Sequence, residues 1–333
     1  MLSSHQTDNS LDKLISYCKA TADQQRLQIL RVLARESFGV LELCHILEVA
    51  QPALSHHLKV LHTAGLVETR RQGNSIYYRR ATVPTDHPMT DVRQGLLTTL
   101  DDLPLATDLK SRVAEIHANR HAQAREFFEK NSHRFQENQN LIAEYPNYAS
   151  CIEELLNDTT ISKDSLVVEI GPGESDLLID LARRAAAVIA IDSSQDMLGK
   201  AMAKAADKGV TNVSSELGQL NDFTGPADLI VANMVLHHIA SPAMFFHDAR
   251  ERLVAEGYLL IADLCHHDQD WTRDACGDLW AGFDSDELDE WATLAGFTPG
   301  QGAYVGLKNG FQVQVKLFQT QPFPTSLTME KSK

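Results

Sequence analysis

Residues 165–192, SLVVEIGPGESDLLIDLARRAAAVIAID, decide the fold of the larger part of the chain. Two short apolar runs, at 166–170 and 188–191, are separated by a glycine-rich turn and a segment long enough for a helix. The later runs ADLIVA (227–232) and YLLIA (258–262) are equally apolar. Strands this apolar are typical of a parallel sheet that helices cover on both faces. The sequence therefore predicts a doubly wound α/β domain.

The last apolar segment of the chain has a different pattern. In FQVQVKLF, residues 311–318, apolar and polar residues alternate, so that one face carries Phe311, Val313, Val315 and Leu317. Strict alternation is typical of a strand with one buried face. We therefore expect an antiparallel strand to complete the sheet.

Charge is distributed unevenly along the 333 residues. The whole chain has 30 Lys and Arg against 45 Asp and Glu, a net charge of -15. Residues 1–80 have 10 basic and 7 acidic residues (net +3), whereas residues 151–320 have 11 and 27 (net -16). The acidic total argues against a protein that coats nucleic acid or a membrane surface, and the asymmetry predicts different partners for the two ends.

Five widely spaced cysteines without a CxxC motif indicate reduced thiols, as expected in the cytoplasm. The first ten residues lack the basic and apolar regions of a signal peptide, and no run of about 18 apolar residues occurs. We expect a cytoplasmic protein without a membrane partner.

The basic N-terminal part reads as short helices followed by a hairpin. Asp23 is a plausible cap for the helix that follows it, and Gln51-Pro52 opens another helix that ends at Gly65. Residues 66–81 then alternate around Gly73-Asn74 as a two-stranded ribbon rich in arginine. This order predicts a winged helix-turn-helix.

The surface chemistry of this domain fits a nucleic-acid interface. If Leu54, Leu58 and Leu61 pack inward, polar residues of the same helix face outward, where they can meet base edges and phosphates. The predicted DNA-contacting residues are Gln51, Ser55, His56 and Lys59 on the helix and Arg70, Arg71, Asn74 and Arg79 on the wing. A three-helix adaptor with a solvated polar face is the alternative.

These segments resemble the ArsR-type repressors. The resemblance rests on TADQQRLQIL (21–30), AQPALSHHLKVLHTAGLV (50–67) and RRQGNSIYYRR (70–80). It implies a homodimer that reads a pseudo-palindromic operator in double-stranded DNA, with one recognition helix per half-site and half-sites roughly 34 Å apart.

Many members of that family sense metals, and here the sequence departs from their ligand pattern. The helical thiol pair of those proteins appears as Cys44-His45-Ile46, so an isoleucine replaces the second thiol. Soft ions need three or four converging Cys or His ligands. We therefore predict no metal site, and keep a metal-responsive repressor only as an alternative.

The turn EIGPGES, residues 169–175, follows the first strand of the α/β domain and predicts a ligand site. Asp176 stands where a dinucleotide-binding loop has its third glycine, and Glu169 and Glu174 add carboxylates where a pyrophosphate would sit. S-adenosylmethionine has a sulfonium, an ammonium group and no phosphate, so an acidic loop suits it. Asp192, 21 residues after Gly171, can accept hydrogen bonds from ribose hydroxyls.

Residues 145–318 resemble the class I methyltransferases. The resemblance implies binding of S-adenosylmethionine or S-adenosylhomocysteine, with the methionine moiety at the first loop, the ribose at the second strand and the adenine near the third. The cofactor-binding residues that it implies are Glu169, Gly171, Gly173, Asp192, Met197, Gln219, Asn233 and Met234. Gln219 replaces an aspartate of the family, and Ser175 replaces a glycine.

Methyl transfer needs positioning of the two reactants and, for some acceptors, a base. The candidate bases are His237, His238, His266, His267 and Asp268, from which we select His267, Asp268 and His237 as catalytic residues. The segment 263–283, DLCHHDQDWTRDACGDLWAGF, resembles a subgroup in which an ArsR-type domain is fused to a methyltransferase. Its Trp271 and Trp280 either wall an acceptor pocket or cap the sheet edge.

The predicted fold is multidomain, α and α/β. A winged helix-turn-helix occupies residues 11–82, a helical connector that extends a dimer or forms a lid 83–145, a Rossmann-like methyltransferase domain with an antiparallel last strand 146–320, and a flexible tail 321–333. The sequence predicts a regulator, expected to be a repressor, whose signal is S-adenosylmethionine or S-adenosylhomocysteine. An active methyltransferase that acts on a small-molecule acceptor and regulates its own operon is the alternative.

Overall fold

The computed structural model describes residues 4–72, 75–81 and 89–321, without the side chains of residues 4–10 and 132–136. The chain divides into two compact units, residues 1–121 and 122–333. The segment predicted as a connector, 83–145, is therefore shared between the two units, and the predicted domain bounds stay predictions. The predicted tail lies outside the described residues from residue 322 onward.

The first unit consists of helices and a small antiparallel sheet. Its helices are α1 (Ser4–Thr21), α2 (Gln24–Val32), α3 (Val40–Leu47), α4 (Gln51–Thr63), α5 (Thr90–Asp102) and the start of α6 (Thr107–Ile142). Its strands are β1 (Phe38–Gly39), β2 (Val67–Gln72) and β3 (Ser75–Arg80), in the order β1-β3-β2. The predicted two-stranded ribbon is present, and β1 adds a short third strand to it.

Local signals in the sequence set the ends of these helices. The side chain of Asp23 accepts a hydrogen bond from the backbone N–H of Arg26 at 3.0 Å and caps α2. Pro52 lies in the first turn of α4, and Gly65, with φ +73°, follows that helix in the left-handed conformation. Leu54, Leu58 and Leu61 of α4 are fully buried, which confirms their predicted inward orientation.

The second unit is built on a seven-stranded sheet with the order β6-β5-β4-β7-β8-β10-β9. Its strands are β4 (Leu166–Ile170), β5 (Ala187–Asp192), β6 (Val213–Leu217), β7 (Ala227–Asn233), β8 (Leu253–Leu264), β9 (Phe297–Gly306) and β10 (Gln312–Thr320). Its remaining helices are α7 (Ala149–Asn157), α8 (Leu177–Arg184), α9 (Gln195–Asp207), α10 (Pro242–Arg252), α11 (Trp271–Cys276) and α12 (Ser285–Leu294). The first five strands of the order are parallel, and β10 is antiparallel to both of its neighbours, as predicted for the last strand of the chain.

The edge strand β9 was not predicted from the sequence. Its side chains are mostly exposed, and Pro299, Gly300 and Gly302 interrupt any pattern of alternating apolar residues. Edge strands need only one pairing partner, here β10, so they tolerate residues that a central strand excludes.

The order of the strands places a reversal of chain direction between β4 and β7. The chain leaves β4 toward β5 on one side and leaves β7 toward β8 on the other, although β4 and β7 are neighbours. Loops that diverge in this way open a ligand-binding crevice outside the carboxyl ends of the strands.

None of the helices in the described part of the chain is long and apolar enough to cross a membrane.

Candidate functional site

The carboxyl ends of β4, β5, β6 and β7 hold most of the residues predicted to bind a cofactor. Two backbone hydrogen bonds tie the loops together, from Gly171 N to Ile191 O at 2.8 Å and from Gly218 N to Asp192 O at 2.9 Å. The turn after β4 therefore lies beside the end of β5, and the end of β5 lies beside the turn after β6.

The loop after β4 requires glycine. Gly171 has φ +61°, and a Cβ atom there would lie 2.5 Å from Cγ2 of Val235. Gly173 has φ +54°, and its Cβ would meet only Cε of Met197, at 3.8 Å. Gly171 is thus fixed by both backbone conformation and close packing, whereas Gly173 is fixed by conformation alone.

Glu169, the fourth residue of β4, is a buried carboxyl without a partner. Its side chain is completely inaccessible, and neither Oε1 nor Oε2 has a hydrogen-bond partner in the described residues. Burial, with a smaller contribution from the charge of Asp180, raises the pKa of Glu169 to about 8. An unpaired buried carboxyl is costly, so this one is suited to a ligand that brings a donor or a positive charge.

Asp192 ends β5 and is half-buried. Its Oδ1 accepts a hydrogen bond from Ser194 N at 2.8 Å, yet burial raises its pKa to about 6 against this bond. The Oγ of Ser194 in turn accepts from Met197 N at 3.4 Å and caps α9. This cap positions Met197, which is 3% exposed, behind the loop after β4.

Asn233 and Met234 follow the neighbouring strand β7. The Tyr148 hydroxyl donates a hydrogen bond to Asn233 Oδ1 at 2.9 Å, and both residues are buried. Met234 has φ +52°, a left-handed conformation that costs energy for a residue with a side chain. Gln219, at the turn after β6, is exposed, and its backbone N–H donates to Asp222 Oδ2 at 2.8 Å.

His237, one of the predicted bases, is buried close to two aspartates, Asp263 and Asp278. It is fully buried, and its Nδ1 lies 2.7 Å from Asp263 Oδ1. Burial lowers the pKa of His237, but the charges of Asp263 and Asp278 outweigh it and raise the pKa to about 9. The charges of the two aspartates thus favour the protonated ring, and the catalytic role of His237 stays a prediction.

The two other predicted catalytic residues lie in the loop after β8. His267 Nδ1 accepts from Gln269 N at 3.2 Å, and its ring packs edge-on against Phe311 with centroids 4.8 Å apart. Asp268 is exposed. Their catalytic roles stay predictions.

The two tryptophans of this segment have different surroundings. Trp280 is 5% exposed and its Nε1 donates to Ile239 O at 2.8 Å, so it covers the sheet edge. Trp271 is 37% exposed.

Two aspartates, Asp263 and Asp278, lie close to the adjacent histidines His237 and His238, an arrangement that was not predicted from the sequence. Asp278 comes 40 residues after His238, so their proximity is not visible as a local sequence pattern. The adjacent His-His pair is the one signal of this arrangement in the sequence.

The first unit presents the predicted DNA-binding helix face to solvent. Gln51, Ser55, His56 and Lys59 of α4 are all exposed. A polar helix face of this kind can meet the edges of bases in a major groove.

The arginines predicted to contact DNA from the wing differ in their exposure to solvent. Arg71 is exposed, and Arg79 is half-buried with its Nε 2.6 Å from Glu68 Oε1. Arg70 is 7% exposed, because side chains alternate along β2 and Arg70 points to the opposite face from Arg71. Its burial does not favour the predicted DNA contact, which stays a prediction. Asn74 lies outside the described residues.

Comparisons with known proteins agree with this division. Residues 23–69 match the sequence model of the bacterial regulatory protein arsR family, and residues 161–296 match a methyltransferase domain. An uncharacterized HTH-type transcriptional regulator of Methanocaldococcus jannaschii is 38% identical over 68 residues, which are 20% of this chain and 76% of that protein. The chain belongs to the arsR family.

Other arsR-family relatives match the same region. The Synechocystis transcriptional repressor SmtB homolog is 36% identical over 75 residues, 22% of this chain and 57% of that protein. The arsenical resistance operon repressor of Staphylococcus aureus is 41% identical over 73 residues, 21% of this chain and 67% of that protein. Against the first four curated relatives, the chain spans between 48% and 61% of their length.

The methyltransferase domain distinguishes this arsR-family chain from a lone helix-turn-helix module. Among solved structures, magnesium protoporphyrin IX methyltransferase from Synechocystis, with bound SAH, is similar at 15% identity and a TM-score of 0.49. The similarity covers 61% of this chain and all of that one. The two family matches show that the chain joins an arsR-type helix-turn-helix domain to a methyltransferase domain.

Proposed function

We propose that this arsR-family protein is a transcriptional repressor whose methyltransferase domain binds S-adenosylmethionine or S-adenosylhomocysteine as its signal. The observation that carries the proposal is the unpartnered, completely buried Glu169 in the strand that leads into the glycine-rich turn at Gly171 and Gly173. The match of residues 161–296 to a methyltransferase domain supports the same ligand class.

The charges around the loop favour a cationic ligand over a phosphate. Glu174 and Asp176 have lysine partners, since Lys200 Nζ lies 3.4 Å from Glu174 Oε1 and Lys204 Nζ lies 2.9 Å from Asp176 Oδ1. Glu169 has no such partner. A phosphate near Glu169 would meet a buried carboxyl, whereas the ammonium group of a methionine moiety can satisfy it.

Other residues would hold the remaining parts of the ligand. Asp192 has one carboxylate oxygen engaged by Ser194 N, which leaves the other to accept from ribose hydroxyls. Met197 would lie against the adenine, and Asn233 and Met234 would shape the region near the sulfur. When bound, S-adenosylmethionine supplies a transferable methyl group on a sulfonium, and S-adenosylhomocysteine lacks both that methyl and the charge.

The first unit would bind double-stranded operator DNA as a homodimer. The exposed residues of α4, Gln51, Ser55, His56 and Lys59, would enter the major groove, and Arg71 and Arg79 would contact the backbone from the wing. A coupling free energy of about 1 to 3 kcal/mol between ligand and operator would change operator affinity by roughly 5- to 150-fold.

An active small-molecule methyltransferase with an autoregulatory DNA-binding domain is the second candidate. The methyltransferase match favours it, and it requires a base such as His267 or Asp268 near the acceptor. A metal-responsive repressor of the usual arsR kind has less support. In the described residues the one group of three converging metal-ligating side chains lies in the second unit.

Calorimetric titration of the ligand-stripped full-length protein tests the proposed ligand class. We expect S-adenosylmethionine or S-adenosylhomocysteine to bind with a Kd in the micromolar range or below, and NAD, a pyrophosphate-bearing probe, to show no binding. Tighter binding of NAD, or no binding of either sulfur nucleoside, would refute the ligand assignment. Release of S-adenosylhomocysteine from S-adenosylmethionine in the presence of small-molecule acceptors would favour the second candidate.

A further inference from the structure

The turn after β7, residues 234–239, packs directly against the glycine-rich loop of the proposed ligand site. A Cβ atom on Gly171 would lie 2.5 Å from Cγ2 of Val235 and 3.0 Å from its Cβ, so the valine side chain fills the space beside this glycine. On its other side, Gly171 N donates a hydrogen bond to Ile191 O at 2.8 Å. The position of Val235 therefore limits the conformations that the loop after β4 can adopt.

His237, two residues after Val235, holds this turn through both its backbone and its ring. Its backbone N–H and its ring nitrogen Nδ1 donate to the two carboxylate oxygens of Asp263, at 3.3 and 2.7 Å. A carboxylate accepts hydrogen bonds, so Nδ1 carries the proton. The carbonyl oxygen of His237 accepts from Leu279 N and Trp280 N, both at 3.1 Å. His237 thus joins the turn after β7 to the end of β8 and to the loop after α11.

The hydrogen bond between the His237 ring and Asp263 joins two buried charges. Both side chains are completely inaccessible to solvent, and Asp263 Oδ1 also accepts from Leu264 N at 2.7 Å. Burial lowers the pKa of His237, but the charges of Asp263 and Asp278 outweigh it and raise the pKa to about 9. Hydrogen bonds between ionised partners are roughly twice as strong as those between neutral groups.

The other neighbours of the ring make no hydrogen bond to it in the described residues. Nε2 has no hydrogen-bond partner there, and the 3.7 Å that separates it from Asp278 Oδ1 is too long for one. The adjacent His238 donates from its own Nδ1 to Gly277 O at 3.3 Å. The position of the His237 ring therefore depends on its bond to Asp263.

We propose that His237 is a positioning residue of the nucleoside site: its hydrogen bond to Asp263 fixes the turn after β7, and Val235 of this turn holds the loop at Gly171 in the conformation that binds the ligand. The inference rests on the proposed function for the identity of that ligand, S-adenosylmethionine or S-adenosylhomocysteine. The same turn begins with Met234, whose N–H donates to Ala262 O, next to Asp263, at 2.7 Å.

Two substitutions of His237 distinguish its hydrogen bond from its bulk. His237→Asn keeps a side-chain N–H close to the position of Nδ1, whereas His237→Leu fills similar space without a donor. By calorimetry, we expect S-adenosylhomocysteine to bind the full-length His237→Leu variant roughly tenfold more weakly than the unmodified protein, and His237→Asn within about threefold of it. The exposed His62 of α4 supplies the control, His62→Leu, which should bind normally.

A double-mutant cycle tests whether His237 acts through Val235. Val235→Ala removes the contact with Gly171 and should itself weaken binding several-fold. If the two residues act in series, His237→Leu should cost less affinity in the Val235→Ala background than in the unmodified protein. A role of His237 in stability alone predicts additive losses, so additivity would overturn the proposal.

Hydrogen–deuterium exchange of the unliganded protein provides a test that does not depend on the ligand. His237→Leu and Val235→Ala should each speed exchange of the segment 169–176, whereas His237→Asn and His62→Leu should not. Should His237→Leu fail to fold, His237→Gln replaces it, because its donor lies one bond farther from the backbone.

The two measurements separate this inference from the proposed function. Faster exchange in His237→Leu, together with an unmodified protein that binds neither nucleoside, would refute the ligand assignment and still support the positioning of the loop. Unchanged exchange of residues 169–176 in the folded variant, or equal affinity of His237→Leu and the unmodified protein for S-adenosylhomocysteine, would overturn the positioning role.

Discussion

The hydroxyl of Tyr148 donates a hydrogen bond of 2.9 Å to Oδ1 of Asn233, and both groups are shielded from water. Tyr148 precedes α7, whereas Asn233 is the last residue of β7. The bond therefore ties the segment before the sheet to the crevice at its carboxyl edge. Under the proposed function, this bond would orient the Asn233 side chain toward the ligand.

Removing this hydroxyl should affect both stability and ligand binding. Tyr148→Phe leaves Asn233 Oδ1 without its buried donor, so we expect a loss of about 1 to 3 kcal/mol in the free energy of unfolding. Because Asn233 loses its orientation, S-adenosylhomocysteine should also bind several-fold more weakly. Denaturant unfolding and calorimetry measure the two effects. Tyr304→Phe removes an exposed hydroxyl bond on β9 and should change neither.

Glu169→Gln should make the unliganded protein more stable and weaken ligand binding. The groups facing Glu169 are Asp180, Tyr145 and Tyr148, and none is a cation. The folded-state pKa of about 8 is above the value of 4.5 for a free glutamate, so its unfavourable contribution is absent below pH 4.5 and complete above pH 8.

We therefore expect the unliganded Glu169→Gln variant to be more stable than the unmodified protein by roughly 1 to 3 kcal/mol at pH 8.5, with the gain shrinking toward pH 5. The same variant should bind S-adenosylmethionine at least tenfold more weakly. Thermal unfolding across this pH range and calorimetry provide the test, with the exposed Glu154→Gln as control. A variant that is destabilised, or that binds normally, would show that Glu169 has a different partner.

Adjacent arginines on β2 should behave differently. Arg71 is exposed and Arg70 is 7% exposed. Arg71→Ala should reduce the slope of log affinity against log salt for DNA by about 1 and leave the melting temperature unchanged. Arg70→Ala should mainly lower the melting temperature. If the slope of log affinity against log salt were the same for Arg71→Ala and the unmodified protein, Arg71 of the wing would not contact DNA.

The pair formed by Arg120 and Glu42 should stabilise the first unit. Arg120 is 5% exposed and donates twice to the Glu42 carboxylate, from Nε at 2.9 Å and Nη2 at 2.6 Å, and once to Ser37 O at 3.1 Å. Breaking a buried pair on one side costs about 3 to 5 kcal/mol because a charge is left unpaired. We expect Arg120→Leu to lose that amount and Arg120→Leu with Glu42→Leu to lose less than the sum of both changes, by urea unfolding. Strict additivity would mean that the two groups do not interact.

The fold could be predicted from the sequence because local sequence patterns agree with the tertiary structure. The apolar strands around β4 and β5 and the cap at Asp23 were visible as patterns, since each depends on neighbouring residues. Strand β9 was not visible as a pattern, because an exposed edge strand that contains Pro299 and Gly300 shows no regular spacing of apolar residues.

Side-chain environments were harder to predict than elements. Arg70 and Arg71 look alike in sequence, and only the pairing register of β2 with β3 determines which one is buried. His237, His238 and Asp278 come together because the turn after β7 and the loop after α11 meet, and these segments are distant in the sequence. Burial and its effect on pKa, as at Glu169, likewise depend on the whole domain.

The most direct test of the central claim measures whether ligand and DNA binding are linked. Fluorescence anisotropy of a DNA fragment from the promoter region of this protein's own operon, with the full-length protein and with or without saturating S-adenosylmethionine or S-adenosylhomocysteine, reports that linkage. The account predicts that one of the two ligands changes DNA affinity by roughly 5- to 150-fold, and that DNA changes the ligand's affinity by the same factor. Identical DNA affinity with and without both ligands, although they bind, would contradict a signalling role and leave an enzyme joined to an independent repressor.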